Sequence, residues 1–93
     1  MAEIHLKQMP GFKKKYKKLT PKVKEIVDEA IRTIIKNPNA GEEKKGDLRG
    51  VFVYKFKVSL QQYLLAYEWN IKTRLLLGLG LHENFYRDLK RHR

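Results

Sequence analysis

Cysteine is absent from the 93 residues. That absence excludes a disulfide framework, a thiolate zinc site and a Cys nucleophile. It also fits a reducing compartment, so a cytoplasmic location is expected. Histidine is scarce: His5, His82 and His92 are scattered along the chain, and no metal site or cofactor is expected from them. Long apolar runs are missing too. The longest, Leu75 to Leu81, is seven residues with its two glycines, against roughly 20 for a membrane span. Met1 to Gln8 mixes charged and apolar residues and lacks the apolar centre of a signal peptide. A soluble protein with no membrane partner is the expectation. Acidic residues are few, 10 against 21 Lys and Arg, which leaves a net charge of +11. Such a field attracts polyanions at long range. Nucleic acid, the ribosome or an acidic protein are therefore the partner classes to consider, whereas a small anionic metabolite needs far fewer charges.

The chain has the length of one domain, residues 1–93, and can bury one modest core. Ala2 to Gln8 alternates weakly and predicts a first strand, interrupted by Pro10 and Gly11. Phe12, Tyr16 and Leu19 then recur at helical spacing, with Lys13, Lys14, Lys15, Lys17 and Lys18 between them. This pattern predicts a short amphipathic helix with a basic outer face. Thr20 suits an N-cap and Pro21 the first helical position. Val23, Ile26, Val27, Ala30, Ile31 and Ile34 form the apolar stripe of a second helix, which Asn37-Pro38-Asn39 stops. After a polar connection from Ala40 to Gly50 the period changes to two. Phe52, Tyr54, Phe56 and Val58 share one strand face, and Val51, Val53, Lys55 and Lys57 the other. Tyr63, Leu65, Tyr67 and Trp69 alternate with Leu64, Ala66 and Glu68 in the next strand. In a third, Thr73 to Leu81, the residues Leu75, Leu77, Leu79 and Leu81 oppose Arg74, Leu76, Gly78 and Gly80. Glu83 to Arg91 predicts a short terminal helix. The fold class is α+β: a strand and a helical hairpin on a mainly antiparallel sheet, then a short C-terminal helix.

The aromatic and leucine faces should pack under the helices and leave a face of small, polar and basic groups. Lys55 and Lys57 fall on that second face, roughly 6–7 Å apart along the strand. Gly78 and Gly80 remove side chains from the same face, and glycine in a strand marks a bend or a close approach. His82 and Tyr86 follow, at a spacing that brings two residues together on a helix. A basic groove floored by glycine and bordered by His and Tyr can hold a phosphodiester. The plain alternative is a solvated sheet face with ordinary lysines.

The order Asp47-Leu48-Arg49-Gly50, Tyr54-Lys55-Phe56-Lys57-Val58, Tyr63-Leu64-Leu65-Ala66-Tyr67 and Gly80-Leu81-His82-Glu83-Asn84-Phe85-Tyr86-Arg87 resembles the RelE/ParE toxin superfamily. The resemblance covers nearly the whole chain. It implies the toxin half of a bacterial toxin–antitoxin pair, with a small acidic antitoxin as cognate partner. One branch of the superfamily cuts messenger RNA on the ribosome; the other poisons DNA gyrase without catalysis. By the resemblance, Lys55 and Lys57 match the paired lysines of the ribonuclease branch. His82 sits where that branch has Arg or a catalytic His, and Tyr86 matches an aromatic that stacks on the message. The sequence departs at Tyr63-Leu64, where a phosphate-binding arginine is expected to follow the tyrosine. Arg49 or Arg74 is the candidate replacement, and Lys13, Lys14 and Lys17 are candidate contacts to ribosomal RNA. The leading expectation is a ribosome-dependent mRNA endoribonuclease acting by metal-independent acid–base chemistry through His82, Lys55, Lys57 and Tyr86. The alternative is a non-catalytic inhibitor of DNA gyrase.

Overall fold

The computed structural model describes residues 3–81 and Phe85. Strand β1 (His5–Gln8) leads into helix α1 (Pro10–Lys17) and helix α2 (Pro21–Lys36). After a 3-10 turn at Pro38–Ala40 come β2 (Glu42–Glu43) and a second such turn at Gly46–Leu48. Then follow β3 (Phe52–Val58), β4 (Gln61–Trp69) and β5 (Thr73–Leu81). The two helices pack on a five-stranded mixed sheet ordered β1-β5-β4-β3-β2. Among the described residues only the β1–β5 pair is parallel. The fold is thus the expected α+β arrangement. The expected terminal helix, apart from Phe85, lies outside the described residues.

Helix α1 begins at Pro10 rather than after it. Proline is tolerated at the first helical position because its N–H would be unpaired there, so it starts this helix instead of delaying it. Helix α2 opens as the sequence implies, with Pro21 after Thr20 and the Lys24 N–H donating to the Thr20 carbonyl at 2.9 Å. Val27, Ala30 and Ile34 are its buried stripe. The apolar faces of both helices close over Leu65, Tyr67, Leu76 and Leu79 of the sheet, with Phe12 1% exposed between them. Each fully buried side chain of this size contributes about 1.5–3 kcal/mol of transfer free energy.

The polar connection is more ordered than its composition implies. Tyr67 is completely buried, donates its hydroxyl proton to the Pro38 carbonyl at 2.6 Å and accepts from the Gly41 N–H at 2.9 Å. A Cβ on Gly41 would sit 2.6 Å from that hydroxyl oxygen and 3.0 Å from the Val53 carbonyl carbon. The glycine is what lets the chain pass so close and begin β2, which pairs with β3.

Two expectations about the faces of the sheet need correction. The strict alternation assigned to Thr73–Leu81 breaks at a bulge: Ala66 pairs with Gly78 but Tyr67 pairs with Leu76, so Leu77 is an extra residue on β5. A bulge shifts every residue on one side of it to the other face. Leu76 and Arg74 therefore face the helices, while Leu77 turns to the opposite side. That opposite side is also not simply small and polar. Leu48, Val51, Val53, Leu64, Ala66 and Phe85 form a second, smaller apolar cluster there.

Candidate functional site

Lys55 and Lys57 share the face of buried Val53 on β3, alternating with Tyr54 and Phe56, and both are exposed on the side away from the helices. Lys55 lies across from Leu64, which in turn lies across from Gly80; Lys57 lies across from Gln62. With strands about 4.8 Å apart, the row Lys55, Leu64, Gly80 spans about 10 Å. The two lysines and the two glycines do share one face, as the strand parity requires.

The floor of this face is not open along its whole length. Leu64 is completely buried, and the position of a Cβ on Gly80 is 3.8 Å from the Phe85 ring. That is an ordinary van der Waals separation, so the ring packs over position 80 without requiring glycine there. The groove expected above Gly80 is therefore filled by Phe85, and the lysines stand at the edge of an apolar cap. Phe85 also fixes one point of the C-terminal segment on the lysine face. His82 and Tyr86 lie outside the described residues.

The other candidate residues separate. Arg74 is corrected from phosphate ligand to structural cation. It is 4% exposed and lies on the helix side of the sheet. Its Nε donates to the Ile34 carbonyl and Nη2 to the Ile35 carbonyl, both at 3.0 Å, while Nη1 reaches the Asn70 and Thr73 carbonyls. Its guanidinium also lies 5.6 Å from the Trp69 ring centroid. A positive group is favourable at this end of α2, where the last carbonyls lack helical partners. Lys13, Lys14 and Lys17 are exposed on α1, across the sheet from Lys55, so they do not join its cluster. Arg49 is exposed and follows Leu48, which is buried in the same apolar cluster as Phe85. Of the two arginines offered in place of Leu64, Arg74 is taken up on the helix side, and Arg49 is tied to this side through its neighbour Leu48 alone.

The sequence matches the ParE-like toxins of type II bacterial toxin–antitoxin systems over residues 6–90. The chain belongs to that family. The toxin also shares its fold with solved RelE structures. It is 19% identical to the matching chain of the RelBE2 toxin–antitoxin complex of Mycobacterium tuberculosis, with 87% of this chain and 100% of that chain covered and a TM-score of 0.72. The corresponding figures for the intact Escherichia coli RelBE complex are 21%, 86%, 98% and 0.67. For a mutant of E. coli RelE in the free state they are 19%, 99%, 94% and 0.70. At these identities the likeness establishes the fold of the toxin. No curated protein matches the sequence.

Two residues of the toxin's lysine face carry no signal in the sequence pattern. Glu42, across from Val53, shares the face of Lys55. Its carboxyl is held below the ordinary value, first by the hydrogen bond from Lys44 Nζ at 3.1 Å and the charge of Lys44, with Lys55 adding a smaller pull. An anion therefore borders the lysines, and a bound phosphate must share them with it. Glu42 lies in a polar stretch without periodicity, so nothing marks it. Phe85 is visible in the Gly80-to-Arg87 segment, but only its seat on Gly80 distinguishes it from the other aromatics. Among the described residues no helix is long and apolar enough to cross a membrane.

Proposed function

We propose that the toxin is a ribosome-dependent mRNA endoribonuclease that stops translation in the cytoplasm, and that an acidic antitoxin is its partner. One observation carries this reading: exposed Lys55 and Lys57 stand on the sheet face where Phe85 anchors the segment that holds His82 and Tyr86 in sequence. Two cations on one strand face suit the charge that builds on a phosphodiester as it is cleaved. In the reaction, a base removes the 2′-hydroxyl proton and the oxygen attacks the neighbouring phosphorus. The bond to the 5′-oxygen breaks, and an acid protonates that leaving oxygen. His82 serves as acid or base, since imidazole titrates near neutral pH. Lys55 and Lys57 stabilise the phosphorane, and Tyr86 stacks on a base. No metal is needed in this scheme. The RelBE structures are complexes of a toxin with its antitoxin, which supports the same kind of partner for this chain.

Primer extension on messenger RNA in a purified translation reaction tests the proposal. Cuts that need ribosomes and wild-type toxin, and that fall by about 10²–10⁴-fold in His82→Ala and in the Lys55→Ala/Lys57→Ala double variant, are the expected result. An intact message with wild-type toxin overturns it. A gyrase inhibitor is the second reading. It is favoured by the burial of Leu64 under the Phe85 cluster where the ribonuclease branch is expected to have arginine. Loss of gyrase supercoiling with intact translation selects it.

A further inference from the structure

We infer that the open edge of β3 binds the sugar–phosphate backbone of single-stranded RNA through main-chain groups. The N–H groups of Lys55 and Lys57 donate to two phosphates, and their carbonyls accept from ribose 2′-hydroxyls. The inference rests on the reading that RNA is held at the lysine face, and it names what holds the strand there. Three observations carry it. First, the edge is only partly covered. β2 pairs with Phe52 and Val53 alone, whereas β3 runs on to Val58. Among the described residues, no strand pairs with the outer side of β3 beyond Val53.

Second, one strand parity carries both kinds of donor. The Lys44 N–H donates to the Val51 carbonyl at 2.8 Å, and Glu42 lies across from Val53. In an antiparallel ladder, alternate residues turn their backbone groups to the same neighbour. Val51 and Val53 therefore face β2, while Tyr54 and Phe56 face β4. The register between β3 and β4 is unbroken from Phe52 to Val58, so no bulge resets this order. Beyond the end of β2, the N–H and C=O groups of Lys55 and Lys57 point out from the sheet. These same two residues carry the exposed ammonium groups. Each position thus offers a fixed main-chain donor together with a flexible charge.

Third, the order and charge of these groups decide the occupant. Along the edge they run donor, acceptor, donor, acceptor, with the two N–H groups about 6.8 Å apart. An extended ribonucleotide strand alternates in the same way: each phosphate accepts, and each 2′-hydroxyl can donate. DNA lacks the second group. A hydrogen bond from an N–H to an ionised phosphate is also about twice as strong as a neutral one. A second copy of the toxin could match the alternation, but it would bring +11 against +11, and lysines on an edge strand oppose such pairing. Glu42 sets the limit of the track at its β2 end. Its carboxylate is bonded to Lys44 at 3.1 Å and repels a phosphate placed there, so the RNA runs from Lys55 toward the turn at Ser59 and Leu60.

The test uses full-length 15N-labelled toxin without ribosomes, a uridine RNA hexamer, and the matching deoxyuridine DNA hexamer. In the free toxin, the Lys55 and Lys57 amides should exchange at least about tenfold faster than those of Tyr54 and Phe56, which are bonded to β4. Saturating RNA should slow the two lysine amides at least about tenfold and leave Tyr54 and Phe56 unchanged. Lys57→Pro removes one outward N–H and keeps the β4 ladder. It should bind RNA about tenfold more weakly than Lys57→Ala. DNA should bind wild-type toxin at least about threefold more weakly than RNA. Unchanged exchange at both lysine amides, with Lys55→Ala/Lys57→Ala still weakening binding, overturns the proposal and leaves RNA held by side chains alone. So does slow exchange of these amides in the free toxin, or equal affinity for the two hexamers. Protected amides together with an intact message in the translation reaction support the edge site and sink the ribonuclease reading, so the two fail separately.

Discussion

The two faces of the sheet differ in what covers them. The helix face is closed by α1 and α2 over Leu65, Tyr67, Leu76 and Leu79, with Arg74 buried there among backbone carbonyls. Among the described residues, the opposite face shows a smaller apolar cluster that includes Phe85, and beside it exposed lysines. One face therefore carries most of the burial that holds the chain together. The other keeps its charge in contact with solvent, where a polyanion can reach it. Neighbouring residues separate the roles cleanly: Leu64 and Leu65 are consecutive, both completely buried, and point to opposite faces.

That pair provides the strongest way to break the comparison. Leu65→Ala leaves a cavity in the larger core and should cost about 2–5 kcal/mol in urea unfolding. Leu64→Ala removes the same atoms from a smaller cluster that can close around the gap, and should fall toward the low end of that range. Equal losses would mean that the two faces share the stability evenly.

Tyr67→Phe comes next. It removes a hydroxyl that serves the Pro38 carbonyl and the Gly41 N–H on the helix side, at a cost of about 1–3 kcal/mol. The loss should be visible in thermal unfolding, with faster exchange of the Gly41 amide as its local signature.

The helix face was largely legible in the sequence, and the opposite face was not. The stripe of α2 and the aromatic parity of β3 and β4 name the main core because burial on one side leaves a regular period. The bulge defeated the same logic on β5: Arg74 and Gly80 have one parity in the sequence, yet the extra residue Leu77 puts them on opposite faces. Gly78 beside it is the one local sign, since glycine within a strand accompanies bulges. Lys55 and Lys57 were legible as a pair because β3 has no such break. Phe85 as their apolar neighbour was not, because its seat depends on packing across the sheet against Gly80. Two acidic residues forming β2 carry no pattern, so its pairing came from Tyr67 and Gly41 rather than from propensity.

A smaller effect distinguishes the helix side by its titration. Donation to Asp28, with burial and the Asp28 charge behind it, raises the Tyr16 hydroxyl above 10.0; burial raises Tyr67 more than the Gly41 N–H and the Arg74 charge lower it. A raised folded pKa contributes stability that is complete below the unfolded value and is lost as pH rises through the folded one. Unfolding free energy should therefore hold level with respect to these two groups up to about pH 10 and decline above it. Tyr16→Phe should make that decline shallower in urea unfolding. An unchanged alkaline slope would remove Tyr16 from the account.

The smallest change in stability belongs to the lysines, and it is the most informative about function. Lys55 and Lys57 are exposed and bury no apolar surface in either core. Lys55→Ala/Lys57→Ala should shift unfolding by no more than about 0.5 kcal/mol. The same variant should lower the slope of log affinity for single-stranded RNA against log salt by about 0.7 for each phosphate no longer neutralised, thus by about 1.4 if both lysines touch the backbone. Lys13→Ala/Lys17→Ala on α1 removes the same charge from the other face and is the control. An equal drop in slope from both variants would mean that RNA senses only the overall charge. A drop confined to the β3 pair would mean that it is held on the face where Phe85 is seated.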